Sequence, residues 1–276
     1  MRLIGRSTKL TLLVLLFNPA ITFAFDHSNP GTRFLALGGC GATLVDTWSA
    51  TNNQAGMACL KTASFSAFHE QGYFTKELSN SAVALIFPFK IISTGVTINY
   101  FGYSRYHEVS AGLTFSRKFG EKFAAGLRFN RFNSFLATTD NQIVKYNLDF
   151  GIISFLSENL TVGFYVQNAI PDKQGPLVNS QLITVGNLGF AYHFEEKLSL
   201  LTEINASISN TVKWKSGMEY FILKPLALRI GIAVQQNIAT YSFGFGYLKN
   251  HLFLSMAFVS NQILGFSPSV EVGYKF

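Results

Sequence analysis

The sequence is short of charge, of cysteine and of long apolar runs, and each shortage excludes a class of structure. Only 13 % of its 276 residues are charged, about half the fraction that is usual in soluble globular domains. After residue 25 there is no stretch of about 18 apolar residues that could cross a membrane as a helix. The two cysteines, Cys40 and Cys59, lack the C-x-x-C spacing of a redox motif.

Apolar and aromatic residues are abundant instead. Hydrophobic residues make up 48 % of the chain and aromatic residues 15 %, with 28 phenylalanines. Such a chain exposes more apolar surface than water tolerates, yet it contains no apolar helix that could face lipid. A closed β-barrel is the remaining architecture that satisfies every backbone N–H and C=O inside a bilayer.

The first 24 residues have the layout of a secretory signal peptide. Arg2, Arg6 and Lys9 precede an apolar run from Leu10 to Phe17, and small residues follow near Ala24. The run is too short for a transmembrane helix, so we expect cleavage after about residue 24. Cleavage removes three positive charges from a formal net charge of +7. Export and the reduced charge both argue against a nucleic-acid partner.

Apolar and polar residues alternate with a period of two from about residue 79 to the end. In "TYSFGFGYL", Tyr241 and Phe243 share one face, while Ser242 and Gly244 share the other. In "VKWKSGMEYFI" the second face carries Lys and Glu, which a strand buried on both faces would not tolerate. Residues 63–276 are therefore predicted to form an all-β, transmembrane antiparallel β-barrel of about fourteen strands.

The connections between strands predict the orientation. Six short connections recur, from Phe89–Ile91 to Leu248–His251, and they alternate strictly with longer ones. This alternation is typical of an outer-membrane barrel of a Gram-negative cell, with tight turns in the periplasm and lipid around the wall. The final strand, "SVEVGYKF", alternates and ends on an aromatic residue. Tyr274 and Phe276 resemble the C-terminal signal that the barrel assembly machinery recognises.

Residues 25–62, here called the hatch, do not alternate and are rich in glycine. Gly-rich backbone can fold compactly inside a protein cavity and satisfy its own polar groups there. Nine glycines of the predicted strands fall on the lumen face and would leave space for such a plug. Alternatively, they only permit curvature and twist of the barrel. They are Gly112, Gly126, Gly151, Gly163, Gly189, Gly217, Gly231, Gly244 and Gly273.

The hatch carries a motif formed by Gly31, Arg33, Gly38, Gly39, Asp46, Trp48, Asn53, Gln54, Ala55 and Gly56. This motif resembles the N-terminal signature of FadL-like outer-membrane proteins, most closely the PorV/PorQ branch. Two departures are Gln54, where the family has Pro, and Cys40 within the run of small residues. The resemblance implies a non-enzymatic envelope component that works with type IX secretion-system proteins. The alternatives are a FadL-like channel for small hydrophobic ligands and a structural barrel without transport.

Two further groups of residues are candidate sites. Cys40 and Cys59 could form a disulfide that closes a loop of about 19 residues, or remain two small buried thiols. Five charged residues fall on the lumen face of neighbouring strands: Glu203, Lys213, Lys215, Glu219 and Arg229. They could line a polar path, hold the hatch, or form a ladder that neutralises itself.

The sequence gives little support for catalysis. The five histidines are scattered without metal-ligand spacing, and neither a G-x-S-x-G elbow nor a phosphate-binding glycine loop occurs. The best candidate is "YSRYHEVS", but His107 and Glu108 point to opposite faces of a strand and cannot form a relay. We therefore expect no enzyme activity, no cofactor and no metal site.

Overall fold

The computed structural model describes residues 29–137, 141–170, 183–208 and 211–276. The predicted signal peptide, residues 1–24, lies outside the described residues. The described hatch, residues 29–62, contains one short α-helix and two 3₁₀ turns. The helix is α1 (Thr32–Ala36), and the turns are Thr47–Ala50 and Gln54–Cys59. Within the described ranges, no helix is both long enough and apolar enough to span a bilayer.

Fourteen strands follow the hatch. They are β1 (Ser64–Gln71), β2 (Ser79–Pro88), β3 (Ser93–Tyr103), β4 (Tyr106–Phe119), β5 (Phe123–Leu136), β6 (Asn141–Phe155), β7 (Leu160–Gln167), β8 (Val185–Phe194), β9 (Leu198–Ser207), β10 (Val212–Leu223), β11 (Leu226–Gln235), β12 (Ile238–Lys249), β13 (Leu252–Asn261) and β14 (Gly265–Lys275). Two single-turn 3₁₀ segments, Gly72–Phe74 and Lys76–Leu78, lie between β1 and β2.

Each strand pairs antiparallel with its sequence neighbours, and β1 pairs with β14 to close the barrel. Ser64 lies opposite Lys275 and Glu70 opposite Ser269 in this closing pair. The predicted fold class, an all-β antiparallel barrel of about fourteen strands with an N-terminal hatch, is confirmed. Closure gives every strand two hydrogen-bonded neighbours, which satisfies the backbone groups of the paired residues without water. Strand β6 extends beyond β7, because only Phe150 to Phe155 of β6 pair with that strand.

The two faces of the wall differ as the alternation predicts. On β12, Tyr241, Phe243, Phe245 and Tyr247 are exposed on the outside, while Ser242 between them is buried. On β2, Val83, Leu85 and Phe87 point outward and Ala82, Ala84 and Ile86 are buried. The exposed large apolar residues thus form the outer surface, and the core lies inside the barrel around the hatch.

The predicted strict alternation of short and longer connections is wrong. The six predicted short connections are all present, but at least three on the opposite end are also tight, among them the three residues Gln262–Leu264 between β13 and β14. Only Ser104 and Arg105 separate β3 from β4, and only Gln236 and Asn237 separate β11 from β12. Gln236 and Asn237 both have positive φ, 47° and 67°, as in a type I′ hairpin turn. At that end of the barrel, β4, β5 and β6 are themselves longer than most strands, with 14 or 15 residues each.

Candidate functional site

The hatch begins with α1 and a glycine turn that lies against the barrel wall. Gly38 and Gly39 have φ values of 69° and 78°, a region that glycine adopts without steric cost. A Cβ on Gly38 would also lie 2.8 Å from the carbonyl oxygen of Ile232. Gly38 is therefore required both for its conformation and for its close approach to β11.

Asp46 and Asn53 of the hatch motif begin the two 3₁₀ turns. The Asp46 carboxylate accepts a hydrogen bond from the Trp48 backbone N–H (3.0 Å), and the Asp46 N–H donates to the Ser49 hydroxyl (3.0 Å). The Asn53 side-chain oxygen accepts from the Ala55 N–H at 3.2 Å. Such caps satisfy N–H groups that would otherwise be unpaired inside the barrel.

Glu271 on β14 is the first of three barrel carboxylates that bind the hatch. It is buried and accepts four hydrogen bonds. The Thr32 N–H (2.9 Å) and hydroxyl (2.6 Å) and the Trp48 indole Nε1–H (2.7 Å) come from the hatch, and the Ser66 hydroxyl (2.7 Å) comes from β1. All four donors are neutral. Glu271 therefore ties the hatch to the seam at which the first and last strands close the barrel.

Glu219 on β10 is the second carboxylate, and it binds two arginines. Arg33 of the hatch donates to both of its oxygens, from Nε at 2.9 Å and from Nη2 at 2.6 Å. Arg229 on β11 donates from Nε at 2.8 Å. Arg33 also lies 3.4 Å from Asp46. Burial by itself would lower the pKa of Arg33, but the carboxylates of Glu219 and Asp46 raise the pKa above its ordinary value, so Arg33 stays charged.

Glu203 on β9 is the third carboxylate. One of its oxygens accepts the backbone N–H groups of Gly41 (2.7 Å) and Ala42 (2.8 Å), and the other accepts Lys215 Nζ at 2.8 Å. Lys215 also donates to the Gly39 carbonyl at 2.9 Å. Glu203 and Lys215, on neighbouring strands, thus bind the hatch backbone at Gly41–Ala42 and at Gly39 respectively.

Four of the five lumen charges from the sequence form two ion pairs. Glu203 pairs with Lys215, and Glu219 pairs with Arg229, each across neighbouring strands. Lys213 is half-buried on the same face, two residues nearer the start of β10. Within each ion pair the two charges neutralise each other, and Glu203, Lys215 and Glu219 also bind the hatch. The structure therefore combines two of the three alternatives, a ladder that neutralises itself and a group that holds the hatch.

Most of the nine lumen glycines leave space for the hatch. A Cβ on Gly163 would lie 1.8 Å from the Ala42 carbonyl oxygen, and one on Gly231 would lie 2.1 Å from the Gly38 nitrogen. Two of the nine make room for barrel side chains instead: Gly112 for Arg128 and Gly273 for Phe253. The glycines that contact hatch atoms are Gly126, Gly151, Gly163, Gly189, Gly217, Gly231 and Gly244.

Strands β2–β6, here called the neutral side, hold the hatch without charge. Asn53 Nδ2 donates to the Ile152 carbonyl on β6 (3.0 Å), and the Thr114 hydroxyl on β4 donates to the Ala50 carbonyl (3.1 Å). Two apolar clusters complete the contact, one formed by Ala50, Met57 and Ile86 and the other by Ala55, Ala124 and Ile153. Strands β9, β10 and β14, with the three carboxylates, are called the charged side.

The neutral side also contains buried polar atoms without a protein partner among the described residues. Both amide atoms of Asn52 and the side-chain oxygen of Gln54 are of this kind in the hatch. On the wall, Arg128 contacts Asp149 (3.4 Å) and Thr97 (3.1 Å), but its Nε is unpaired. Sequence reasoning assigned no role to Arg128 or Glu271. The alternation of β5 and β14 places both residues on the lumen face, and this position could have identified them as candidate contacts of the hatch.

Cys40 and Cys59 are both free thiols in the structure. Cys40 is buried on the charged side, and burial followed by the negative charge of Glu203 raises the pKa of its thiol well above the ordinary value. Cys59 is half-buried in the apolar cluster of the neutral side, and burial raises its pKa as well. Of the two alternatives drawn from the sequence, the structure contains the pair of unbonded thiols.

The predicted C-terminal signal lies where the barrel closes. The Phe276 N–H donates to the Ala63 carbonyl at 2.8 Å, just before β1 begins. The Tyr274 ring lies between His251 (5.7 Å) and Phe276 (5.1 Å), measured between ring centroids. Recognition by the assembly machinery remains a prediction.

His107 and Glu108 lie on opposite faces of β4, as expected. The His107 ring lies between Tyr100 (5.6 Å) and Phe135 (5.0 Å) on the outside. Glu108 accepts a hydrogen bond from the Tyr106 hydroxyl. Across the described residues, no three His, Cys, Asp or Glu side chains are placed to hold a metal ion together.

The chain matches no protein-family model and no curated protein. Several solved structures share its fold. The toluene transporter TbuX of Ralstonia pickettii has a TM-score of 0.71 at 12 % identity, covering 91 % of this chain and 100 % of that one. The toluene transporter TodX of Pseudomonas putida has 0.69 at 11 % identity, with 91 % and 97 % covered. A FadL homologue of Pseudomonas aeruginosa has 0.66 at 13 % identity, with 90 % and 98 % covered. At these identities, the likeness is one of fold.

Proposed function

We propose that this chain is an outer-membrane barrel that passes small hydrophobic molecules across the membrane, with the hatch as its closed gate. This was the alternative interpretation of the sequence. The shared fold of the toluene transporters TbuX and TodX supports it over a role in type IX secretion. The predicted signal peptide and the apolar outer wall support the placement in the outer membrane.

The observation that carries the proposal is a hatch seated inside a closed barrel of this fold. Leu37, Ala50 and Met57 of the hatch have no exposed surface. Asn53 and Gln54 contact Gly151 and Gly126 of the wall too closely for a methyl group to fit between them. We infer that the hatch blocks the lumen at this level, so a molecule that crosses there requires the hatch to move.

The test is to lock the hatch to the wall. Ala50 Cβ lies 3.4 Å from the position that a Cβ on Gly95 would take, close to the ~3.5–4.5 Å between the Cβ atoms of a disulfide. The double variant Ala50→Cys, Gly95→Cys, in a background in which Cys40 and Cys59 are replaced by Ala, should form this bond. The nearest obstacle, the Met57 sulfur at 2.6 Å, is at the end of a flexible side chain.

Uptake of radiolabelled toluene is then measured in cells that lack their own hydrocarbon transporters. We expect the unlocked barrel to raise the uptake rate, the oxidised double variant to abolish this increase, and a reductant to restore it. The single variant Ala50→Cys in the same background is the matched control and should transport in both redox states. No gain over cells with an empty vector, for toluene or for a labelled long-chain fatty acid, would refute the transport proposal.

A second candidate is a PorV/PorQ-like partner of a secretion system, and one observation favours it. The wall carries Arg128, Asp149, Asn130 and Asn147 on its lumen face, whereas a hydrocarbon path would be lined by apolar side chains. Gentle solubilisation through a tag on an outer loop, followed by mass spectrometry, tests this function. A large secretion protein present in stoichiometric amount would support it, and the absence of such a protein would contradict it.

A further inference from the structure

Arg131 lies on the outer wall of the barrel among apolar side chains. Arg131 on β5 is exposed, and the alternation of β5 places it with Phe129 outside, whereas Arg128 and Asn130 are buried inside. Its strand neighbours are Ala111 on β4 and Tyr146 on β6. None of the ion pairs between described residues includes Arg131. Its charge is therefore available to a partner outside the barrel.

The position of Arg131 along β5 corresponds to the outer edge of the apolar band. Arg131 follows Phe123, the first residue of β5, by eight residues. A rise of about 3.3 Å per residue and a tilt of about 40° place it ~20 Å above Phe123, in a band about 25 Å tall. Tyr100, Tyr146 and the His107 ring lie on the same outer face. A charged side chain at this depth reaches the headgroup region with little cost, whereas it would be expensive at the midplane.

A concavity in the wall adjoins Arg131. Its volume is about 400 Å³, and the outward residues around it are Val96, Ala111, Leu113, Phe129, Arg131 and Tyr146. Ala111 is the smallest of these side chains, between the larger ones of β3 and β5. The concavity therefore combines an apolar groove with a cation at its edge, which matches an acyl chain joined to an anionic headgroup.

We propose that this patch, with Arg131 as its cation, binds an outer-leaflet lipid whose headgroup carries a phosphate. The guanidinium forms paired charge-assisted hydrogen bonds with the phosphate, which an ammonium group would form less specifically. The acyl chain fills the concavity over Ala111. The inference rests on the membrane placement proposed above, and it assigns the site to the outside of the wall rather than to the lumen.

The probe is diphosphorylated lipid A added to the mature barrel in detergent, with bound lipid measured by native mass spectrometry. Arg131→Gln should weaken binding about tenfold, as expected for the loss of charge-assisted hydrogen bonds to phosphate. Ala111→Phe fills the concavity without changing charge and should weaken binding as well. Arg117→Gln is the matched control, because Arg117 is exposed on β4 near the opposite end of the wall, beside Phe119. It should bind like the unaltered protein.

Each outcome is decisive. Equal binding by the unaltered protein and Arg131→Gln, with both barrels folded by heat-dependent gel mobility, would refute the lipid site. Displacement of lipid A by an equal concentration of inorganic phosphate would assign the charge to a free anion and would also refute it. Failure of the folded barrel to insert into any phospholipid vesicle would refute the membrane placement itself. Retained toluene uptake in Arg131→Gln, together with weaker lipid binding, would support the site independently of transport.

Discussion

The charged side and the neutral side of the barrel hold the same hatch by different means. On β9, β10 and β14, three buried carboxylates accept hydrogen bonds from Gly41, Arg33 and Thr32 of the hatch, and each has at least three donors. On β2–β6, the hatch rests on two small apolar clusters and two neutral hydrogen bonds. Buried charges are costly to leave unpaired, whereas apolar contacts separate gradually. We therefore expect the hatch to detach first from the neutral side.

The largest effect is expected from breaking the charged side at Glu219. Glu219→Gln leaves Arg33 and Arg229 without their shared anion inside the barrel. Removal of one partner from a buried ion pair typically costs about 3–5 kcal/mol. Guanidinium unfolding of the detergent-solubilised barrel measures this loss, and protease cleavage within residues 29–62 reports release of the hatch. The control is Glu196→Gln, on an exposed turn, and an equal loss in both variants would contradict the role of Glu219 as an anchor.

An intermediate effect is expected from adding one methyl group to the neutral side. A Cβ on Gly126 would lie 2.6–2.7 Å from three atoms of Gln54, two of which belong to the backbone. Gly126→Ala should therefore destabilise the seated hatch by about 1–3 kcal/mol, as overpacking usually does. The matched control is Gly186→Ala, where the nearest atom to the new Cβ is 3.9 Å away. Identical unfolding midpoints for the two variants would mean that the hatch is not packed against β5.

The smallest effect on stability is expected from a substitution at Asn52. It is compared with the same substitution at the neighbouring Asn53. Asn52 is fully buried and both of its amide atoms lack a protein partner among the described residues. Asn52→Leu should be nearly neutral or stabilising, because no hydrogen bond is lost. The neighbouring Asn53→Leu removes bonds to Ala42, Ile152 and Ala55 and should cost about 1–3 kcal/mol. The same unfolding experiment compares them, and a larger loss at Asn52 would contradict the expected order.

The wall of the barrel could be predicted from local pattern because its physics is local. The period of two predicts that Phe243 and Ser242 lie on opposite faces of the wall, since successive side chains of a strand point to opposite sides. The short connections followed from the same pattern. The strict alternation of connection lengths failed because β11 and β12 meet in a two-residue I′ turn, and the tight turns at that end were not recognised in the sequence.

The hatch could be predicted only as a segment. Its composition separated residues 25–62 from the wall, and the motif indicated which positions to examine. The wall residues that contact those positions could not be predicted from the sequence, because partners such as Trp48 and Glu271 are 223 residues apart. The alternation placed Glu271 and Arg128 on the lumen face, but it does not say which of them contacts the hatch. The free state of Cys40 and Cys59 was likewise undetermined by their spacing.

The sequence by itself determined the closed barrel, its strand number, its apolar outer wall and the existence of a separate small-residue segment. Those features depend on periodicity, composition and the need to satisfy backbone groups without water. Only the tertiary structure decided that three carboxylates bind one side of the hatch, that seven glycines make room for it, and that Arg131 lies beside a concavity on the outer wall. These contacts join residues far apart in the chain, and they form only when the barrel closes around the hatch.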